Sequence, residues 1–266
     1  MLEKVSFLGA GNIAKAIMGG MLKQGIAAEN LFAADPSPDQ LAKLAPGVSG
    51  FADNLAAIEL ADVVVIAVKP NTVPQLCTAL APNIGNRLVI SVAAGIQSET
   101  LQRGLGAGVA IIRCMPNTPA LVQAGMTGLF ATSNVTATQK QSAEDILSAI
   151  GLVEWFENEN DLDAVTAVSG SGPAYFFLII EAMEAAAVKL GLTPAVAHQL
   201  VTQTALGASL MARDTDQPIS ELRKNVTSPG GTTAAAINSL INDQVPEIFS
   251  NAIAAAHRRS IELAKE

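Results

Sequence analysis

Hydrophobic and polar positions along the chain follow two regimes. Up to about Glu157, short apolar runs alternate with stretches of helical periodicity. The pattern predicts strands over 5–9, 31–34, 62–69, 88–92, 109–113, 126–131 and 152–157, and helices over 12–24, 38–44 and 136–150. The run 62–69, Asp-Val-Val-Val-Ile-Ala-Val-Lys, is apolar at consecutive rather than alternate positions, which suits a strand buried on both faces of a parallel sheet. Strands alternating with helices predict an α/β fold with a doubly wound sheet. Beyond Glu157 the period is helical throughout, over 162–168, 175–190, 195–212, 218–226, 233–241 and 245–265. Gly172-Pro173, Gly191, Thr193-Pro194, Pro218, Pro229-Gly230-Gly231 and Pro246 punctuate these helices. Two domains are expected, an α/β domain over 1–158 and an all-helical domain over 159–266.

Composition narrows the function classes. Half of the 266 residues are hydrophobic, enough for a substantial core. Sixteen Lys and Arg stand against 24 Asp and Glu, a net charge of -8 with no basic block, which argues against nucleic acid and anionic membranes as partners. The longest apolar runs, 63–68 and 174–180, fall well short of the about 20 residues of a membrane span. No basic region and long apolar core opens the chain, so no signal peptide is read and a cytoplasmic setting is expected. Cys77 and Cys114 lack CxxC spacing and are expected to be reduced, buried thiols; with only His198 and His257 beside them, no metal site is expected. The charged end of the chain, from His257 to Glu266, reads as a solvated helix face and frayed terminus. Alanine runs at 185–187, 234–236 and 254–256 suit close helix packing, although alanine's helix propensity alone could produce them.

The first strand runs into Gly9-Ala10-Gly11-Asn12-Ile13-Ala14, a GxGxxA pattern at a strand-to-helix turn. The first glycine permits the tight turn, the second lets backbone N–H groups approach a pyrophosphate, and the small third residue lets helix lie close to strand. This predicts a Rossmann-type dinucleotide site. Asp35, about 20 residues further on at the end of the second strand, reads equally as an acceptor for an adenine ribose diol or as a turn carboxylate before Pro36. Asn54 follows the next short strand and could contact the ribose region. Ala67-Val68-Lys69-Pro70 and Ala93-Ala94-Gly95 leave two further strand ends where a dinucleotide would pass, and Lys69 reads equally as a phosphate partner or as an exposed lysine. Arg113-Cys114-Met115-Pro116-Asn117-Thr118-Pro119 predicts a rigid polar loop.

In the helical half, Ser169-Gly170-Ser171-Gly172-Pro173-Ala174-Tyr175 and Thr227-Ser228-Pro229-Gly230-Gly231-Thr232-Thr233 each open a helix with hydroxyls and unpaired N–H groups, a receptor for a small carboxylate. Together with the glycine-rich turn, Ala67 to Pro70 and Arg113 to Pro119, these motifs in this order resemble the Δ1-pyrroline-5-carboxylate reductase family. The resemblance runs from Val5 to beyond Leu240. It implies an N-terminal Rossmann domain, a helical C-terminal dimerisation domain, and reduction of a cyclic imine to L-proline with NADPH or NADH. Carried onto this chain, it puts the dinucleotide on Gly9, Gly11, Asn12, Ala14, Asn54, Val68, Lys69, Pro70, Ala93, Ala94, Gly95 and Asn225; Ala10, Ile13 and Ala67 within the same turns, and Asp35 on its spacing alone, complete the expected cofactor set. It puts the substrate on Ser228, Gly231, Thr232 and Thr233, with Glu159 lining the pocket from the partner subunit. Members form homodimers, and a decamer of dimers is the larger assembly the resemblance allows. Ala34-Asp35 stands where some members carry serines suited to a 2′-phosphate, which argues against strong NADPH preference.

An iminium accepts hydride without forming an alkoxide, so the absence of a histidine from the motifs is no obstacle, and positioning can supply most of the catalysis. Thr233 is the residue expected to hydrogen-bond the ring nitrogen. A β-hydroxyacid dehydrogenase, the nearest rival, resembles its relatives in carrying a catalytic lysine in the helix after the glycine-rich start, and 162–188 contains no lysine. A catalytically silent dinucleotide sensor would not need the turn from Ser228 to Thr233.

Overall fold

The computed structural model describes residues 4–264; Met1 to Glu3, Lys265 and Glu266, which the expected domain limits and last helix include, lie outside the described residues. The chain forms two compact units, one of residues up to Ser171 together with those from Ala256, the other Gly172–Ala255. The expected division at 158 thus falls inside the first unit.

In the first unit β1 (Val5–Leu8), α1 (Asn12–Lys23), β2 (Leu31–Ala34), α2 (Pro38–Leu41), β3 (Ser49–Phe51), α3 (Asn54–Glu59), β4 (Val63–Ile66), α4 (Val73–Ile84), β5 (Leu88–Ser91), α5 (Ser98–Leu105), β6 (Ile111–Met115), β7 (Gly125–Ala131), α6 (Ala137–Ser148) and β8 (Gly151–Phe156) follow in order. They build an eight-stranded sheet ordered β3-β2-β1-β4-β5-β6-β7-β8. Every residue of β1, β2, β4 and β5 is buried. Alternate side chains leave on opposite faces. Phe7, Val63, Val65 and Ile90 join Ile17, Met18 and Met21 of α1, while Leu8, Val64, Ile66 and Val89 join Ile58 of α3, Leu80 of α4 and Leu101 of α5. Each such side chain, fully removed from water, contributes about 1.5–3 kcal/mol.

The sheet is not parallel throughout. β7 pairs antiparallel with β6, and β8 runs parallel to β7. A parallel return needs a crossover of about a dozen residues or more, and the link between Met115 and Gly125 holds only a short 3₁₀ turn, Thr118–Val122. The next link is long enough, and Thr136 opens α6 with a capping box: its hydroxyl accepts from Gln139 N while Gln139 Oε1 accepts from Thr136 N.

After β8 come α7 (Asp161–Val165), a π-turn (Thr166–Gly170), α8 (Gly172–Lys189), α9 (Pro194–Arg213), α10 (Ile219–Asn225), α11 (Thr232–Asn242) and α12 (Val245–Leu263). Near the end of α12, Arg258, Arg259 and Glu262 are exposed, while Ser260 is buried and donates to Asp163 Oδ1 at 2.6 Å; the terminus expected to fray lies in part outside the described residues. The second unit has little interior of its own. Ala197 and Val201 of α9 are buried, yet Phe176, Phe177 and Leu178 of α8 are each more than 60% exposed. Because the π-turn carries α7 on into α8, Asp161–Lys189 is long and apolar enough, by length and composition, to cross a membrane.

Candidate functional site

β1 lies between β2 and β4, so the chain reverses direction across the sheet between β1 and β4. In open α/β sheets ligands bind in the crevice outside the carboxyl ends of strands at such a switch point. The expected dinucleotide residues of the first unit gather there. Gly9 N donates to Ala34 O at 2.7 Å, and Ala67 N donates to Leu8 O at 2.8 Å. Gly9 has φ +97°, and a Cβ on it would lie 2.6 Å from Ala67 O. Ala10 and Ala14 are buried, while Asn12 is exposed.

Whether this edge fits a dinucleotide turns on what fills the loop. Gly11 is the N-cap of α1 and makes no side-chain cap bond, which leaves the first N–H groups of a full-length helix to an anion. A Cβ on Gly11 would meet nothing within 4 Å, so the space above it is open. The donors and the room fit a pyrophosphate. Lys69, Pro70 and Ala94 are exposed, Val68 and Gly95 half-buried, and Ala93 buried. The end of α12 adjoins this edge, since a Cβ on Gly95 would lie 3.7 Å from Leu263 O.

Asp35 is committed to backbone. Its Oδ2 accepts from Ala10 N and its Oδ1 from Ser37 N, both at 2.9 Å. Of the two expectations for this residue, the turn carboxylate accounts for these bonds, and the bond to Ala10 braces the glycine loop itself. Asn54 is half-buried at the first position of α3, after Asp53 caps that helix through Leu55 N.

Glu159 is also committed within its own chain. Its Oε1 accepts from Ser98 N at 2.6 Å and from Arg113 Nη1 at 3.0 Å, and its Oε2 accepts from Ser98 Oγ at 2.5 Å. It therefore caps α5 from a distant segment and neutralises Arg113, whose side chain is 6% exposed. The resemblance assigns Glu159 to the partner's substrate pocket; within its own chain its carboxylate holds Ser98 and Arg113. Arg113, Ser98 and Asn117 were given no individual role by sequence reasoning. An arginine inside an apolar strand was the available signal, because such a charge is seldom buried without a carboxylate.

In the second unit Asn225 ends α10, and Thr227 N donates to Lys224 O at 3.0 Å. A turn follows in which Gly231 N donates to Ser228 O at 3.0 Å, and Gly231 then caps α11 without a side-chain bond. Ser228 and Thr232 are exposed and Thr233 half-buried. This helix start collects N–H groups and hydroxyls suited to a carboxylate. The cysteines offer no competing nucleophile: both are free and buried, and burial pushes the Cys77 thiol up to about 11 and raises that of Cys114 as well.

The comparisons with known proteins agree along the chain. The family model described as pyrroline-5-carboxylate reductase dimerisation matches residues 159–263, and one described as NADP oxidoreductase, coenzyme F420-dependent, matches residues 4–95. The pyrroline-5-carboxylate reductase of Pseudomonas aeruginosa is 45% identical, covering 99% of this chain and 97% of its own. Among solved structures, a pyrroline-5-carboxylate reductase from Coxiella burnetii superposes with a TM-score of 0.95 at 42% identity, covering 99% of each chain. A pyrroline carboxylate reductase from Plasmodium falciparum with NADP bound gives 0.88 at 33% identity, covering 98% of each.

Proposed function

The chain belongs to the pyrroline-5-carboxylate reductase family, and on that premise we propose that it reduces Δ1-pyrroline-5-carboxylate to L-proline with NADH or NADPH, the last step of proline biosynthesis. One observation carries the reading: Gly11 before α1 and Gly231 before α11 each open a helix without a side-chain cap. The first start suits a pyrophosphate and the second a substrate carboxylate.

The reduced nicotinamide, when bound along the glycine loop, supplies the hydride. The remaining work is positional. Ser228, Gly231 and Thr232 hold the carboxylate, and the Thr233 hydroxyl bonds the ring nitrogen and keeps its proton on the ring side, so that the C=N carbon takes hydride and the nitrogen ends as a secondary amine. Asn225 contributes to the cofactor side. Thr233→Val is expected to lower kcat/KM for the imine roughly tenfold or more, the scale of a hydrogen bond to a charged group, with Thr233→Ser retaining most activity. A valine enzyme with parental turnover and KM would remove Thr233 from this role.

The decisive assay is loss of reduced-nicotinamide absorbance on adding pyrroline-5-carboxylate, compared with a 3-hydroxyacid plus oxidised cofactor and with no second substrate. Imine-dependent oxidation is expected; its absence with both NADH and NADPH would overturn the reading. For cofactor choice, Asp35→Ser is expected to raise the NADPH to NADH ratio of kcat/KM about tenfold, because a carboxylate that repels a 2′-phosphate becomes a hydroxyl. An unchanged ratio would confine Asp35 to bracing Ala10.

The dimerisation model covers the helices whose apolar faces stand exposed, and the protein is a homo-oligomer. In our reading the exposed face of α8 meets a second copy rather than lipid, and a decamer built from five such dimers is the larger assembly. Light scattering separates a dimer from that decamer. A cytoplasmic setting suits an enzyme that draws on reduced nicotinamide and carries free thiols at Cys77 and Cys114.

A further inference from the structure

Two motifs meet at a point the proposed chemistry leaves unused. α7 does not continue as α-helix: the π-turn Thr166–Gly170 is closed by Ser171 N donating to Thr166 O at 2.8 Å. In an α-helix the Ser169 carbonyl would accept from the N–H four residues on, but that residue is Pro173, which has none. The missing donor comes from another segment. Asn117 Nδ2 donates to Ser169 O at 3.0 Å, and Asn117 Oδ1 accepts from Met126 N at 2.9 Å. Only one orientation of the amide satisfies both partners, oxygen to N–H and nitrogen to carbonyl. Gly170 completes the fit, since a Cβ there would lie 2.7 Å from Met115 Cε. Asn117 follows β6 and Met126 belongs to the start of β7; because these strands are antiparallel, both stand at the carboxyl edge of the parallel strands, the ligand edge of the sheet. π-turns within helices recur at functional sites.

From this geometry we propose that Asn117 is a positioning residue. By giving the Ser169 carbonyl the donor that Pro173 cannot supply, it holds the π-turn so that Ser169, Gly170 and Ser171 stand against the β6 loop at the ligand edge. Asn117 acts through that turn and not on the substrate; its kinetic consequence rests on the reductase reading above.

Asn117→Asp tests the role, because it keeps the acceptor for Met126 N and turns an oxygen towards the Ser169 carbonyl. We expect kcat to fall about 30-fold, the scale of one carbonyl left without its donor. We expect KM for NADPH to stay within about twofold, since the glycine loop is untouched. Amide exchange at Ser171, whose N–H closes the turn, is expected to rise. Asn117→Ala should behave alike, and Asn117→Ala with Pro173→Ala should regain activity, because the new N–H at 173 can serve the Ser169 carbonyl. Parental kcat and parental Ser171 exchange in Asn117→Asp would overturn the proposal. So would activity lost only in step with the folded fraction, or no recovery in the double variant. If the parent enzyme itself shows no imine-dependent oxidation, the reductase reading has failed, and Ser171 exchange in the same variants still decides whether Asn117 holds the turn.

Discussion

Glu159→Ala is expected to cost the first unit about 3–5 kcal/mol of stability, the scale of breaking a buried ion pair by removing one partner. Arg113 would remain 5% exposed in β6 with a full charge and without its 3.0 Å partner. The same carboxylate caps α5 through Ser98 N, and losing a cap adds about 1 kcal/mol. Urea unfolding of the parent, Glu159→Ala and the double variant with Arg113→Met measures this. The single variant should lose most and the double variant recover part, since an apolar residue replaces the stranded cation. Gln at 159 should lie between, keeping an acceptor but no charge. α5 begins three residues after Gly95, so the loosened start should also raise KM for the cofactor. A Glu159→Ala enzyme of parental stability with a raised KM for the imine alone would overturn the intrachain role and return Glu159 to the partner's substrate pocket.

That pair also shows where sequence reasoning stops. Composition and period carry information that is local or repeats along one element. Consecutive apolar residues in 62–69 identified β4 because a strand buried on both faces has no polar side to show. Gly9, Gly11 and Ala14 identified the strand-to-helix turn because each has a backbone reason for lacking bulk. Glu159 and Arg113 are brought together only by the sheet, and no spacing encodes their pairing. The same holds for the bond from Asp35 to Ala10, which joins the ends of two strands that no spacing pairs. α4 escaped notice because Pro74 and Pro82 punctuate it; Pro74 sits in the first turn, where no N–H is required, and Pro82 falls near the end. The antiparallel return of β7 was legible in principle from the shortness of the link after Met115, but the alternation of strand and helix on either side masked it. The π-turn was hidden for a different reason: Pro173 removes one helical donor, and the replacement lies in Asn117, on a different motif.

Gly9→Ala and Gly11→Ala should part company, although both residues are glycines of the same motif. At position 9 the backbone is left-handed, φ +97°, which costs an alanine about 1–2 kcal/mol. The new methyl would also press on Ala67 O at 2.6 Å and Ala67 C at 2.8 Å. These are backbone atoms, and they cannot turn aside because Ala67 N is bonded to Leu8 O and Gly9 N to Ala34 O. Relief requires β1, β2 and β4 to separate at their carboxyl ends, which would pull Ala10 from Asp35 and displace the first N–H groups of α1. Both the unfolding midpoint and NADPH affinity should therefore fall, the affinity at least about 100-fold, or about 2.7 kcal/mol. At position 11 the backbone is extended and right-handed in sign, φ -75° and ψ -174°, and a methyl would touch no protein atom within 4 Å. Gly11→Ala should keep the parental unfolding midpoint, so any affinity it loses in a fluorescence titration with NADPH must come from the methyl meeting the bound dinucleotide. Tight parental binding by Gly11→Ala would mean that the space above Gly11 is not where the pyrophosphate lies, and the helix start at α1 would lose its assignment while the steric argument at Gly9 stood.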